Sequence, residues 1–314
     1  MSSQHLVDPE LAHILAQLPS FDMNAATLAA VRAMELPMEA VVAADVRCVE
    51  RELPGPSGAP AVRVLIYTPP AAARPAPAVL HIHGGGYVMG RPEMSDARNR
   101  LLTRDVGCVV MSADYRLAPE TPFPGGVEDC YAALLWLHRH ADELGVDSQR
   151  IAISGESAGG GLAASLALLA RDRGEVRVCF QQLIFPMIDD RTGSVGATHP
   201  YAGEFLWTAA SNRYAWKSLL NEPPGGDSVS PYAAAARAQN LAGLPPSFIA
   251  VGALDLFVEE NIEYARRLIH AGVPTELHVY PGAFHGYLLA PQARVTLQAD
   301  HDASTALRNA LARR

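Results

Sequence analysis

A serine bracketed by glycines, Gly155-Glu156-Ser157-Ala158-Gly159, follows the apolar run Arg150 to Ser154 and precedes the helix-like stretch Gly161 to Ala170. That context reads as a nucleophile elbow, a sharp strand-to-helix turn that holds a serine in strained backbone geometry. Glycines two positions either side remove the Cβ atoms that would keep strand and helix apart. The expected product is an exposed Ser157 hydroxyl beside a helix N-terminus.

A serine hydroxyl is a weak nucleophile, so it needs a base, an acid to orient that base, and donors for the oxyanion. His83-Gly84-Gly85-Gly86 follows the apolar run Val79 to Ile82, and bare glycines let backbone N–H groups approach a ligand closely. Gly84 and Gly85 are therefore the candidate oxyanion donors, with the N–H of Ala158 as a third. His285, in Ala283-Phe284-His285-Gly286, lies just past the last expected strand and is the candidate base. A loop at a strand's C-terminal end delivers its side chain to the sheet edge where the elbow also sits. His278, inside that strand, and His270, at a helix end, read as structural.

Asp255, in the loop after the expected strand at 247–252, is the candidate acid, with Asp189 as runner-up and Asp190 beside it. Glu259 and Glu260 fall in a first helical turn, where carboxylates cap the helix or form structural pairs. The order Ser157, Asp255, His285 is that of an α/β-hydrolase, and the chymotrypsin and subtilisin orders differ from it. His81 and His83 share one strand face, but no third ligand pattern accompanies them and no metal site is expected.

The elements that must carry these residues alternate. Two helices open the chain, one with Leu11, Ile14, Leu15 and Leu18 on one face and one near residues 24–35. Strands at about 41–50 and 61–67, separated by the turn-rich Pro54-Gly55-Pro56-Ser57-Gly58, read as an antiparallel hairpin. Further strands are expected at 78–82, 108–112, 151–154, 176–185, 247–252 and 275–280. Between them fall helices near 94–104, 127–144, 259–271 and 294–311. Strands alternating with helices of this length imply an α/β fold whose mainly parallel sheet is covered on both faces. From Met187 to about Pro231 the alternation lapses into a segment carrying Tyr201, Phe205, Trp207, Tyr214 and Trp216, which reads as an insertion over the sheet.

Composition narrows the partners. With 314 residues and 49% hydrophobic content the chain can bury a substantial core, and a formal charge of -8 argues against nucleic acid or an anionic membrane. The N-terminal residues have neither a basic nor a long apolar region, no apolar stretch reaches membrane-spanning length, and a cytoplasmic location is expected. Cys48, Cys108, Cys130 and Cys179 form no C-x-x-C pair and read as buried free thiols. Lys217 is the only lysine and has no phosphate loop beside it, which disfavours Schiff-base chemistry and leaves no cofactor to invoke.

Taken together, the motifs resemble the bacterial hormone-sensitive lipase family of esterases, family IV of the lipolytic enzymes, over most of the chain. His83-Gly84-Gly85-Gly86-Tyr87 is similar to that family's oxyanion motif, and Asp114-Tyr115-Arg116-Leu117-Ala118-Pro119-Glu120 to its loop after the next strand. Gly155 to Gly160 matches its elbow, Asp255 its acid motif, and His285-Gly286 its histidine motif. Three departures stand out: Glu156 replaces the usual aspartate, no proline follows Asp255, and Glu259 replaces another aspartate.

The resemblance implies an α/β-hydrolase fold, with an eight-stranded, mainly parallel sheet under a helical cap. The cap would comprise residues 1–45 and an insertion at 189–230, and the core residues 46–188 and 231–314. It implies a serine carboxylic ester hydrolase acting on short- to medium-chain acyl esters, and it is compatible with a homodimer. Tyr87, Phe205, Trp207, Tyr287 and Leu288 become candidate walls of the substrate pocket. Two alternatives share the fold. A non-catalytic receptor, as in plant gibberellin receptors, would lack the histidine that this chain has at His285, whereas an amidase or acyltransferase would share every catalytic residue.

Overall fold

The computed structural model describes residues 2–15, 17, 22–34, 42–70, 75–196 and 199–312. Its strands are β1 (Arg47–Leu53), β2 (Val62–Thr68), β3 (Ala76–Ile82), β4 (Val109–Asp114), β5 (Val146–Glu156), β6 (Phe180–Ile184), β7 (Ser247–Gly252) and β8 (Thr275–Tyr280). The helices among the described residues are α1 (Pro9–Leu15), α2 (Leu28–Ala33), α3 (Asp96–Val106), α4 (Gly125–Arg139), α5 (Ala141–Leu144), α6 (Ala158–Arg173), α7 (Ala209–Leu220), α8 (Val258–His270) and α9 (Arg294–Ala312). No helix among these residues is long and apolar enough to cross a membrane.

All eight strands form one sheet in the order β1-β2-β4-β3-β5-β6-β7-β8. Pairing is antiparallel from β1 to β2 and from β2 to β4, and parallel throughout the rest. The strands alternate between two apolar layers because successive side chains point to opposite faces. Leu80, Met111, Ile151 and Ile153 join the layer that includes Leu134 of α4, Leu166 of α6 and Leu268 of α8. Val79, Val110, Ala152 and Phe248 join the other, with Leu307 of α9 and Leu11 of α1. A sheet apolar on both faces needs helices on both, and the βαβ connections supply them.

Several boundaries differ from the sequence expectation. The first strand starts at Arg47 rather than 41, because Ala43 takes φ 50° and accepts a hydrogen bond from Val46 in a turn; residue 41 itself lies outside the described residues. The helix expected at 127–144 divides into α4 and α5 at His140, whose N–H and ring both bond the Trp136 carbonyl. The strand expected at 176–185 shortens to β6, with Phe185 at φ 35° beyond its end. β5 is longer than expected and runs to the residue before Ser157. Leu18 and Glu35 lie outside the described residues. The four cysteines are free, but only Cys108 and Cys130 are buried; Cys48 and Cys179 are half-buried.

A third apolar cluster lies over the loop that follows β3. It joins Met23 and Leu28 of the N-terminal segment to Val88 and Ala118, with Tyr214 of α7 packed against it. Polar contacts tie the same parts. Met23 donates its N–H to Ser211 Oγ at 2.8 Å, and the Arg32 guanidinium donates to the Val88 carbonyl at 2.7 Å and the Ala118 carbonyl at 2.9 Å. The N-terminal helix α2 and the inserted helix α7 thus meet above the glycine-rich loop.

A tight crossing lies under Ser157, where a Cβ on Gly159 would stand 2.0 Å from the Ile82 carbonyl oxygen and 2.5 Å from that of His83. Both obstacles are backbone and cannot swing aside. Gly159→Ala should therefore lower stability by about 1 to 3 kcal/mol, the usual cost of overpacking. Gly226→Ala, whose added methyl meets open space, should stay within about 0.5 kcal/mol of the parent. Urea unfolding midpoints of the two variants check the difference.

Candidate active site

Three loops at the C-terminal ends of parallel strands converge on one point. Ser157 occupies the turn between β5 and α6 with φ 55° and ψ -120°, a conformation that a non-glycine residue holds only when its surroundings enforce it. Here the enforcement is hydrogen bonding. The Ser157 N–H donates to the Ile184 carbonyl at 2.9 Å, while its own carbonyl accepts from Gly161 at 2.9 Å and Met187 at 3.0 Å.

The loops after β7 and β8 are sewn together by two backbone bonds, Ala253 N–H to the Tyr280 carbonyl and Leu254 N–H to the Ala283 carbonyl, each 2.9 Å. This places Asp255 against His285, with Asp255 Oδ2 2.8 Å from His285 Nδ1. The other carboxylate oxygen accepts from the Phe257 N–H at 2.9 Å, so the acid cannot rotate freely. A proton held on Nδ1 leaves the Nε2 lone pair facing Ser157 Oγ, 3.0 Å away. Asp255, His285 and Ser157 are only 1%, 6% and 7% exposed: the serine expected to be exposed is instead buried among the loops that meet over it, and these contacts operate with little competition from water. Phe185 and Phe257 meet the imidazole edge-on at ring-centre distances of 4.9 Å and 5.1 Å, and Trp207 stands at 6.1 Å.

The glycine loop after β3 faces the same serine. Gly85 takes φ 124°, and a Cβ there would lie 2.1 Å from the Met89 carbonyl oxygen, so only glycine fits the turn. Among the described residues, the N–H groups of Gly84, Gly85 and Ala158 have no protein acceptor. Such amides beside a nucleophile form a cradle for negative charge. Below the loop, Tyr115 donates its hydroxyl to the His83 carbonyl at 2.9 Å, and its ring stacks on that of His83 at 4.3 Å. His83 Nδ1 donates to the Gly84 carbonyl at 2.8 Å, and its Nε2 is buried with no partner among the described residues. Burial therefore pushes the His83 pKa down to about 4.

The remaining candidates from the sequence occupy distinct surroundings. Trp207 lies against Gly86, its indole N–H donating to Asn212 Oδ1 at 3.1 Å. Phe205 and Leu288 are half-buried, Phe205 meeting Phe284 at 5.8 Å. Tyr87 is buried beneath the loop with its hydroxyl donating to the Met187 carbonyl at 2.6 Å, and Tyr287 is buried against Phe185. Asp189 pairs with Arg191, and Asp190 with Arg237, each at 2.7 Å, so neither meets His285. Glu260 braces the loop after β6 by accepting from the Ile188 N–H at 2.7 Å and from the Thr192 hydroxyl. Burial holds its carboxyl well above the usual range. His81 bonds Glu156, and among the described residues no group of three or more His, Cys, Asp or Glu side chains is arranged to hold a metal.

Sequence reasoning missed Phe185, Phe257 and Met187. Phe257 had a signal, standing two residues after Asp255, but nothing local tells that its ring will face the imidazole. Phe185 and Met187 act through positions fixed only when β6 joins the sheet beside β5.

Comparison with known proteins places this geometry. The pattern of the family described as alpha/beta hydrolase fold matches residues 79–289. Esterase LipI of Mycobacterium tuberculosis is 37% identical over 90% of this chain and 88% of its own length. Carboxylesterase NlhH of the same species is 34% identical over 90% and 89%. A solved bacterial heroin esterase is 42% identical and superimposes with a TM-score of 0.93, covering 99% of this chain and 100% of that one. The chain belongs to the hormone-sensitive lipase family, family IV, of the α/β-hydrolase superfamily. It is, more particularly, a carboxylic ester hydrolase.

His83 gives the site a defined response to acid. Between the ordinary histidine pKa near 6.5 and about 4, the unfolded chain binds a proton that folded His83 refuses. Its contribution to stability is therefore complete above about pH 6.5 and declines as pH falls towards 4, by about 1.4 kcal/mol per unit. In His83→Asn, unfolding free energies from urea titrations across this window should decline less steeply. Equal slopes in parent and variant would assign the acid sensitivity elsewhere.

Proposed function

We propose that this esterase works through Ser157 as nucleophile, His285 as general base and acid, and Asp255 as the acid that fixes the imidazole. The observation that carries the reading is the unbroken hydrogen-bonded line from Ser157 Oγ through His285 to Asp255, with links of 3.0 Å and 2.8 Å. Ser157 Oγ attacks the ester carbonyl carbon while its proton passes to His285 Nε2. Asp255 stabilises the resulting imidazolium without taking the proton. The N–H groups of Gly84, Gly85 and Ala158 receive the oxyanion, where each donor is worth about 2.7 to 4 kcal/mol in the transition state.

Collapse of the tetrahedral intermediate breaks the bond to the alkoxy oxygen, which leaves as the alcohol with the proton from His285 Nε2. The acyl group remains on Ser157. Water then gives a proton to His285, attacks the acyl carbon and releases the acid, restoring Ser157. No metal or organic cofactor enters these steps.

Residues 1–45 and 189–230 act in this reading as a cap over a core of 46–188 and 231–314. What supports it is the joining of α2 and α7 over the glycine loop through Met23, Ser211 and Arg32. Trp207, Phe205 and Leu288 serve as walls of the substrate site, and Tyr87 and Tyr287 hold its floor. Short- to medium-chain acyl esters are the substrates, a reading favoured by the aromatic crowding around His285 and the small exposure of Ser157. A homodimer would find at β8 the edge of the sheet that the described residues form.

Ser157→Ala should reduce the turnover of p-nitrophenyl acetate and butyrate by about 10⁶-fold while the circular dichroism spectrum stays that of the parent. Asp255→Asn should lower kcat by about 10⁴-fold through the wrong histidine tautomer. Asp189→Asn, removing a carboxylate that faces Arg191, should leave kcat within a few-fold. A large loss in Asp189→Asn with none in Asp255→Asn would move the acid to the other strand.

A further inference from the structure

Glu156 stands next to Ser157 in the chain, yet its carboxylate meets neither Ser157 nor His285. It meets His81 of β3, with Oε2 3.0 Å and Oε1 3.3 Å from Nε2. β3 and β5 are parallel neighbours with His81 opposite Ser154, so Glu156, two residues on, shares the face of His81 and sits diagonally across the strand pair. The bond therefore links the penultimate residue of β3 to the last residue of β5. From His81 the chain needs only three residues to reach Gly84, and from Glu156 only one to reach Ser157.

The histidine end of this link is itself anchored. His81 Nδ1 lies 3.0 Å from Ser112 Oγ of β4 and 3.3 Å from Asn99 Nδ2 of α3. His81, Asn99 and Ser112 are all buried, at 1%, 0% and 0% exposure. A ring with polar partners at both nitrogens cannot rotate without stranding one of them in a site that water does not reach. On the carboxylate side, burial pushes the Glu156 pKa up, but His81 and Arg98 outweigh it and hold the group below its usual range, so it accepts as an anion. The backbones of the two strand ends also touch: a Cβ on Gly84 would lie 3.0 Å from the Glu156 carbonyl oxygen.

We propose that His81 and Glu156 form a clamp that sets the spacing between the oxyanion amides of the β3 loop and the Ser157 turn, making His81 a positioning residue for ester hydrolysis. The proposal rests on the assignment of Gly84, Gly85 and Ala158 as oxyanion donors. Those donors act over a narrow range of about 2.7 to 3.1 Å, and a shift on the order of 1 Å can cost about 100-fold in rate. The clamp touches no substrate. It acts through the separation of two loops that come from different strands and must hold one oxygen between them.

Removing His81 alone would leave a buried, unpaired carboxylate and could unfold the protein, so both partners are replaced together. Apolar replacement of a buried pair is commonly tolerated. The double variant His81→Phe with Glu156→Leu should fold, with kcat for p-nitrophenyl butyrate down by about 10- to 100-fold and KM within about 3-fold of the parent. Its affinity for a trifluoromethyl ketone analogue of the tetrahedral intermediate should weaken by the same factor as kcat/KM. Glu156→Gln, which can still bond His81, should keep kcat within about 3-fold. Should the double variant fail to fold, Glu156→Leu alone, which leaves no buried charge and keeps His81 Nδ1 beside Ser112 and Asn99, carries the same expectation for kcat and analogue affinity. A folded variant without the bond that keeps kcat and analogue affinity within about 2-fold overturns the clamp, as does a loss confined to KM. A loss in Glu156→Gln as large as in the double variant also overturns it, since charge rather than the link would then be responsible. Ser157→Ala, assayed beside them, separates the layers: activity surviving there strikes the assignment of the nucleophile, and its loss beside a fully active double variant strikes the clamp alone.

Discussion

The structure depends on one backbone conformation, Ser157 at φ 55° and ψ -120°, which no isolated serine would choose. A positive φ in a residue with a side chain costs on the order of 1 to 3 kcal/mol and must be imposed from outside. Three backbone hydrogen bonds impose it, from Ile184, Gly161 and Met187, two of which belong to β6 and the loop beyond it. Ser157 is thus posed by the neighbouring strand as much as by its own. That is why β6 must pair in parallel with β5 and end where it does.

The same constraint explains the placement of the other groups. Parallel pairing puts the C-terminal ends of β3, β5, β6, β7 and β8 on one edge of the sheet, so loops far apart in sequence arrive together without further design. Asp255 and His285 need only two backbone bonds between their loops to meet. The antiparallel strands β1 and β2 carry none of the candidate residues and extend the sheet away from this edge.

Much of this was legible because it is local. Gly155 to Gly159 encodes a crossing too tight for a Cβ, His83 to Gly86 encodes a loop with bare amides, and their positions after apolar runs place both at strand ends. Strand edges were less legible: residues 176–185 have the composition of one long strand, yet pairing with β5 and β7 uses only Phe180 to Ile184. The aromatic surroundings of His285 were legible only in part, Trp207 standing out as an aromatic of the insertion. Phe185 and Phe257 are ordinary apolar residues in sequence, and only the convergence of three loops turns them towards one ring. Glu156 was visible as an odd residue, but its partner His81 lies 75 positions away and becomes adjacent only through strand order.

Two imidazole–carboxylate pairs flank Ser157, and their opposite polarity accounts for their different capacities. In His285 the carboxylate of Asp255 takes Nδ1, and Nε2 is left facing a hydroxyl that can surrender a proton. In His81 the carboxylate takes Nε2, and Nδ1 faces the buried Ser112 and Asn99 rather than Ser157. The first arrangement leaves one nitrogen with a job to do during a reaction, because its neutral and protonated forms each have a partner ready. In the second both ring nitrogens are engaged by polar partners, so its contribution comes from staying fixed. Proximity of a histidine and a carboxylate therefore does not define a catalytic pair; what defines it is which nitrogen is left open and what that nitrogen faces.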